Sequence, residues 1–91
     1  MLVALIAKDK PGALDTRMAN REAHLAYVRD TGVVQQAGPF LNAEGAMCGS
    51  LLILDVDSVA AAEAWAKDDP YAKAGLFASV ELIEWKRVIG G

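Results

Sequence analysis

MLVALIA (residues 1–7) and LLILDV (residues 51–56) decide the fold. Each is short, almost wholly apolar and bounded by turn-forming residues, which marks a buried strand. Side chains of a strand alternate between its two faces. A sheet with one face in water therefore alternates apolar with polar residues. These two segments are apolar on both faces, so both faces of their sheet need cover. Helices of the same chain supply one cover. The same face of a second copy is the economical source of the other, giving a sheet-to-sheet dimer across a dyad.

Outward from these strands, the chain divides readily. Lys8-Asp9-Lys10-Pro11-Gly12 is a turn, and Ala13 to Thr31 reads as helix with Gly32 as its C-terminal cap. Asn20 sits inside that stretch. Asn favours caps over helix interiors, so a fresh start at Arg21 is the alternative. Val33 to Ala37 reads as a second strand closed by Gly38-Pro39, and Asn42-Ala43-Glu44-Gly45 as a turn. Met47 to Val56 is the third strand. Asp57 or Ser58 caps a second helix over Val59 to Lys67. Asp68-Asp69-Pro70-Tyr71 ends it, because a residue before proline is pushed out of helical geometry. A turn through Gly75 leads to a last strand over Ala78 to Val88. The order β-α-β-β-α-β predicts a ferredoxin-like α+β domain over residues 1–91, a four-stranded antiparallel sheet with two helices on one face.

Composition supports the dimer. The hydrophobic share is 54% and the mean hydropathy +0.23 in a chain of 91 residues. A domain this small has little interior in which to hide so much apolar material. The net charge of −3, with no basic run, offers a phosphate backbone no patch, so nucleic acid is not an expected partner. Nothing reaches membrane-spanning length. The apolar N-terminus lacks a basic leader and is too short for a secretory core. With Cys48 as its one cysteine, the chain forms no internal disulfide, and a cytoplasmic location is expected.

His24 is the sole histidine, the one side chain with an ordinary pKa suited to proton exchange at neutral pH. Helix packing is the alternative use of it. Asp69 follows Asp68 at a helix C-terminus, where negative charge is locally unfavourable. It is either a solvated Asp-Pro turn or a carboxylate that orients a histidine and stabilises its protonated form. Both helices lie on one face, so the fold permits the pairing. Gly49-Ser50 and Gly38-Pro39 suit either tight packing or backbone contact with a ligand, with Ser50 a hydrogen-bond donor. Arg21 either binds an anion near His24 or solvates its helix. Cys48 reads as structural, and Trp65, Trp85 and Phe77 as core or interface. One His and one Cys do not make a zinc site of the usual kind. No phosphate loop or dinucleotide fingerprint is present, and no elbow motif supports a serine nucleophile.

Arg21-Glu22-Ala23-His24-Leu25, Gly38-Pro39, Gly49-Ser50-Leu51, Ala64-Trp65-Ala66 and Asp69-Pro70-Tyr71 with Ala74-Gly75 together resemble the YciI-like family along the whole chain. Glu22 stands where some members carry proline. The resemblance implies a dimeric α+β barrel and a His-Asp centre at His24 and Asp69. Ser50, Tyr71, Arg21, Gly38 and Pro39 would form the surrounding pocket. With a sole histidine matched to a carboxylate at those positions, the leading expectation is a small cofactor-free enzyme, lyase or isomerase, acting on a small polar substrate such as a hydroxylated aromatic or a lactone. The alternative is a non-catalytic dimeric module that binds a small ligand or docks on a partner.

Overall fold

The computed structural model describes residues 1–90. Strands β1 (Leu2–Asp9), β2 (Val34–Leu41), β3 (Met47–Asp55) and β4 (Phe77–Trp85) form one antiparallel sheet in the order β2-β3-β1-β4. Helices α1 (Leu14–Thr31) and α2 (Val59–Asp68) complete the βαββαβ plan, with a short third helix, α3 (Pro70–Lys73), before β4. This is the ferredoxin-like fold expected from the sequence.

Register sorts the side chains. Leu5 pairs with Leu52 and Leu82, and Val3 pairs with Leu54, all on the helix side. Val3, Leu5, Ala7, Leu52 and Leu54 meet Ala62 and Trp65 of α2 in the core. Trp65 also fastens the helices together. Its Nε1 donates to Thr31 Oγ1 at 2.9 Å, and Tyr27 Oη donates to its carbonyl oxygen at 2.8 Å. The opposite face carries Ala4, Ile6, Leu51, Ile53, Ile83 and Trp85 in register. Leu51 and Trp85 are exposed there, and Ile83 is 50% exposed.

Several local expectations are corrected. α1 runs unbroken through Asn20, whose Nδ2 donates to Thr16 O at 2.9 Å; this back-bond satisfies the side chain without ending the helix. β2 does not close at Gly38-Pro39 but continues to Leu41, with Pro39 opposite Ser50. An edge strand tolerates a residue lacking an N–H. Ser58, not Asp57, caps α2, its Oγ accepting from Ala61 N at 3.0 Å. β4 ends at Trp85, short of Val88. Gly32 caps α1 in the left-handed region as expected, with φ 67°.

Gly49 serves packing. A Cβ there would stand 2.5 Å from the carbonyl oxygen of Ala7 and 3.1 Å from the ring of Phe40. Backbone on the neighbouring strand cannot yield without moving β1. Gly49→Ala is therefore expected to destabilise the fold by about 1–3 kcal/mol, as overpacking does. Thermal unfolding followed by circular dichroism checks this, with a drop on the order of 10 °C for a domain of this size.

Candidate functional site

The inward side of α1 is unusual for a core-facing helix. Its two buried residues are Arg17 and His24, one heptad apart. Two buried polar side chains facing a sheet require partners, because burial strips their water. Each has one.

The partner of His24 comes from the α2–α3 junction. Asp69 has an extended backbone, φ −59° and ψ 127°, so it ends α2 and caps α3, with Pro70 at the first helical position. Its Oδ1 accepts from Tyr71 N at 3.0 Å. The acid that looked misplaced at one helix C-terminus is thus well placed at the next N-terminus. The same Oδ1 lies 2.8 Å from His24 Nδ1. Asp69 is 1% exposed and His24 6%. Tyr71 backs the imidazole: the two rings stack with centroids 4.0 Å apart and planes 12° apart.

Nδ1 is therefore engaged, and Nε2 makes no hydrogen bond among the described residues. No buried side-chain nitrogen or oxygen among them lacks a partner. Nε2 must then reach open space. That space is a cavity of about 200 Å³ between α1 and the β2–β3 side of the sheet, where His24, Arg17, Arg21 and Ser50 supply the polar wall. Its small size suits a single-ring molecule better than a drug-sized one.

Arg17 holds the other end of this wall. Its Nε donates to Asp9 Oδ2 at 2.7 Å and its Nη2 to Asp9 Oδ1 at 2.9 Å, a bidentate pair. Nη2 also donates to Ser50 Oγ at 2.9 Å. The guanidinium carbon lies 4.8 Å from the Tyr71 ring centroid. Burial pulls the Arg17 guanidinium down, but hydrogen bonding and charge from Asp9 outweigh it and leave the group above its ordinary value. Burial pushes the Tyr71 phenol up, against the pull of Arg17 and Arg21.

The remaining residues singled out in the sequence fall around this cavity. Ser50 is buried on β3 and accepts from Arg17, which leaves its own hydroxyl proton free to donate. Arg21 lies exposed at the rim and forms no ion pair among the described residues. Gly38 and Pro39 line the opposite wall, where Pro39 offers no N–H to a ligand. Tyr71 borders the cavity mainly as the ring behind His24, being 2% exposed. Cys48 lies outside the cavity and contacts Phe40 O through Sγ at 3.6 Å.

Arg17 and Asp9 went unnoticed in the sequence. Asp9 read as a turn residue but is the last residue of β1. The available signal was Arg17, Arg21 and His24 at spacings of four and three, a polar stripe along one face of a helix that has a sheet to cover.

A family model for the YCII-related domain matches residues 1–86, and the chain belongs to that family. Protein YciI of Escherichia coli O6:H1 is 38% identical over 97 aligned positions, covering 97% of this chain and 99% of that protein. The chain is also similar to a solved structure of 5-chloro-2-hydroxyhydroquinone dehydrochlorinase from Burkholderia phenoliruptrix AC1100, in complex with 2,5-dihydroxybenzoquinone. That match has a TM-score of 0.88 and 38% identity, covering 94% of each chain. An antibiotic biosynthesis monooxygenase matches with a TM-score of 0.56 and 14% identity over 96% of this chain and all of that one, a likeness of fold alone.

Both tyrosines are held above the ordinary phenol value of 10.0, Tyr71 and Tyr27 alike chiefly by burial. Their neutral forms stabilise the fold fully below that value, and the contribution is lost as pH rises through the higher folded values. Titration of phenolate absorbance should place both folded midpoints above 10.0 and return them toward 10.0 in denaturant. The melting temperature should fall over the same alkaline range. A folded midpoint at or below the ordinary value would contradict the burial argument.

Proposed function

We propose that this YCII-related protein is a small acid–base enzyme that moves a proton on a hydroxylated ring substrate, His24 acting as the proton carrier and Asp69 as its positioning partner. The observation that carries this reading is the division of labour at one imidazole. Nδ1 is held by a buried carboxylate, while Nε2 faces a cavity sized for a single ring. A carboxylate at Nδ1 fixes the tautomer and balances the imidazolium that forms on protonation. The likeness to a dehydrochlorinase solved with a dihydroxyquinone supports a ring substrate.

The chemistry follows from general acid–base principles. His24 Nε2 takes the proton of a ring hydroxyl; the O–H bond breaks and its electron pair stays on oxygen. The pair moves into the ring as a ring carbon takes a proton back from the imidazolium, giving the keto tautomer. An isomerase stops there. A lyase expels its leaving group, as an anion, from that carbon while a second ring hydroxyl gives up its proton. Every proton is carried by His24 or by solvent, and the scheme calls for no cofactor.

His24→Ala should lower turnover by about 10²- to 10⁴-fold on whichever member of a panel of hydroxylated aromatics, chlorinated hydroquinones and lactones the wild type converts. Asp69→Asn is the finer probe. Its Oδ1 can still accept from Tyr71 N and from Nδ1–H, so the helix cap survives and only the charge is lost. Reduced turnover in a normally folded D69N protein is expected. Unchanged turnover in His24→Ala would end the proposal, and tight binding without turnover in the wild type would favour a ligand-binding module.

The reading includes a homodimer formed by the apolar sheet face that bears Leu51, Ile83 and Trp85. A second copy presents the matching surface by symmetry. Ile83→Asp should shift the mass measured by light scattering from dimer to monomer, because it buries an unpaired charge in such an interface. A wild-type protein that runs as a monomer at micromolar concentration would rule this assembly out.

A further inference from the structure

Arg17 is the most heavily restrained side chain of the cavity wall, and the restraint leaves a specific remainder. A guanidinium has five N–H donors in a rigid planar fork. Nε–H and one Nη2–H are taken by the two oxygens of Asp9, and the other Nη2–H by Ser50 Oγ. The Tyr71 side chain also hydrogen-bonds this guanidinium, so of the five donors at least one N–H, on Nη1, is left over. Arg17 is only 3% exposed, yet no buried nitrogen among the described residues is unpartnered. Nη1 therefore spends its small exposure on the cavity that Arg17 lines. Ser50 Oγ, already accepting from Arg17, has its own proton to give at the same wall.

We infer that Arg17 Nη1 and the Ser50 hydroxyl form a preorganised oxyanion site, and that the cavity selects ring compounds carrying, or developing, an enolate or phenolate oxygen. This rests on the proton-transfer reading and names its substrate class. Donors fixed before the reaction stabilise charge as it forms without reorganising. Asp9 provides that fixity here. Its carboxylate both pays for the buried guanidinium charge and sets the plane of the fork. No free carboxylate opposes an anion at this wall, since Asp9 is bound to Arg17 and Asp69 to His24. Loss of a proton to His24 and gathering of the resulting charge at Arg17 are two halves of one step.

The test uses the full-length protein and 2,5-dihydroxybenzoquinone, a vinylogous acid that is an anion at neutral pH, with calorimetry reading its dissociation constant. Wild-type protein should bind it. Arg17→Lys keeps the positive charge but loses the fork, and should weaken binding by about 10- to 100-fold, as loss of charged hydrogen bonds does. Ser50→Ala should weaken it by roughly 3- to 10-fold. A folded Arg17→Lys protein binding within twofold of wild type overturns the inference. Should circular dichroism show that variant to be unfolded, Ser50→Ala decides, and unchanged binding there overturns it equally. Absence of binding by the wild type also overturns it. The proton-transfer reading fails separately, on retained turnover in His24→Ala; a loss of turnover there together with normal binding in Arg17→Lys would leave that reading standing without this one.

Discussion

One carboxylate oxygen organises the site. Asp69 Oδ1 accepts from the Tyr71 backbone N–H and also meets His24 Nδ1. The first contact fixes the bend between α2 and α3; the second fixes α1 against that bend. Tyr71, positioned by the first, stacks on the imidazole positioned by the second. A local capping requirement and a long-range contact across 45 residues of sequence thus share an atom. Neither end can drift without releasing the other.

The polar stripe of α1 shows what this arrangement costs. Leucines at Arg17 and His24 would bury readily against Leu52 and its neighbours and contribute about 1.5–3 kcal/mol each. The chain places there two side chains that demand matched partners, and supplies those partners from β1 and from the α2–α3 junction. Breaking such a pair by removing one member leaves a buried charge alone, which is more costly than never having had it. The hydrocarbon core therefore shifts toward β1, β3 and α2, where Val3, Leu5, Leu54 and Trp65 meet. The α1 side is held by directed bonds instead.

The fold was legible because the strands declare themselves. MLVALIA and LLILDV read as buried strands and become β1 and β3, the two central strands of the sheet, and the order of elements follows from the turns between them. The errors arose where local preference yielded to context. Asn20 found a backbone acceptor one turn back, and Pro39 found an edge. Within the site, His24 stood out as the sole histidine; a plan with both helices on one face permitted its meeting with Asp69, and the family resemblance implied it. The Arg17–Asp9 pair was hidden for a physical reason. A carboxylate ending a strand and a guanidinium on the next helix look, in sequence, like two solvated charges beside a turn. Only the depth to which α1 packs reveals that both are out of water.

The irregularity of β2 bears on how the molecule keeps to itself. Its register slips between Val34 and Gln36 and again between Phe40 and Leu41, and Pro39 subtracts a donor between them. An incoming strand would find no long, even ladder along that margin to copy. Fibrillar growth by continuous strand addition is thereby discouraged at this side of the sheet, a safeguard of value to a chain carrying so much exposed hydrocarbon.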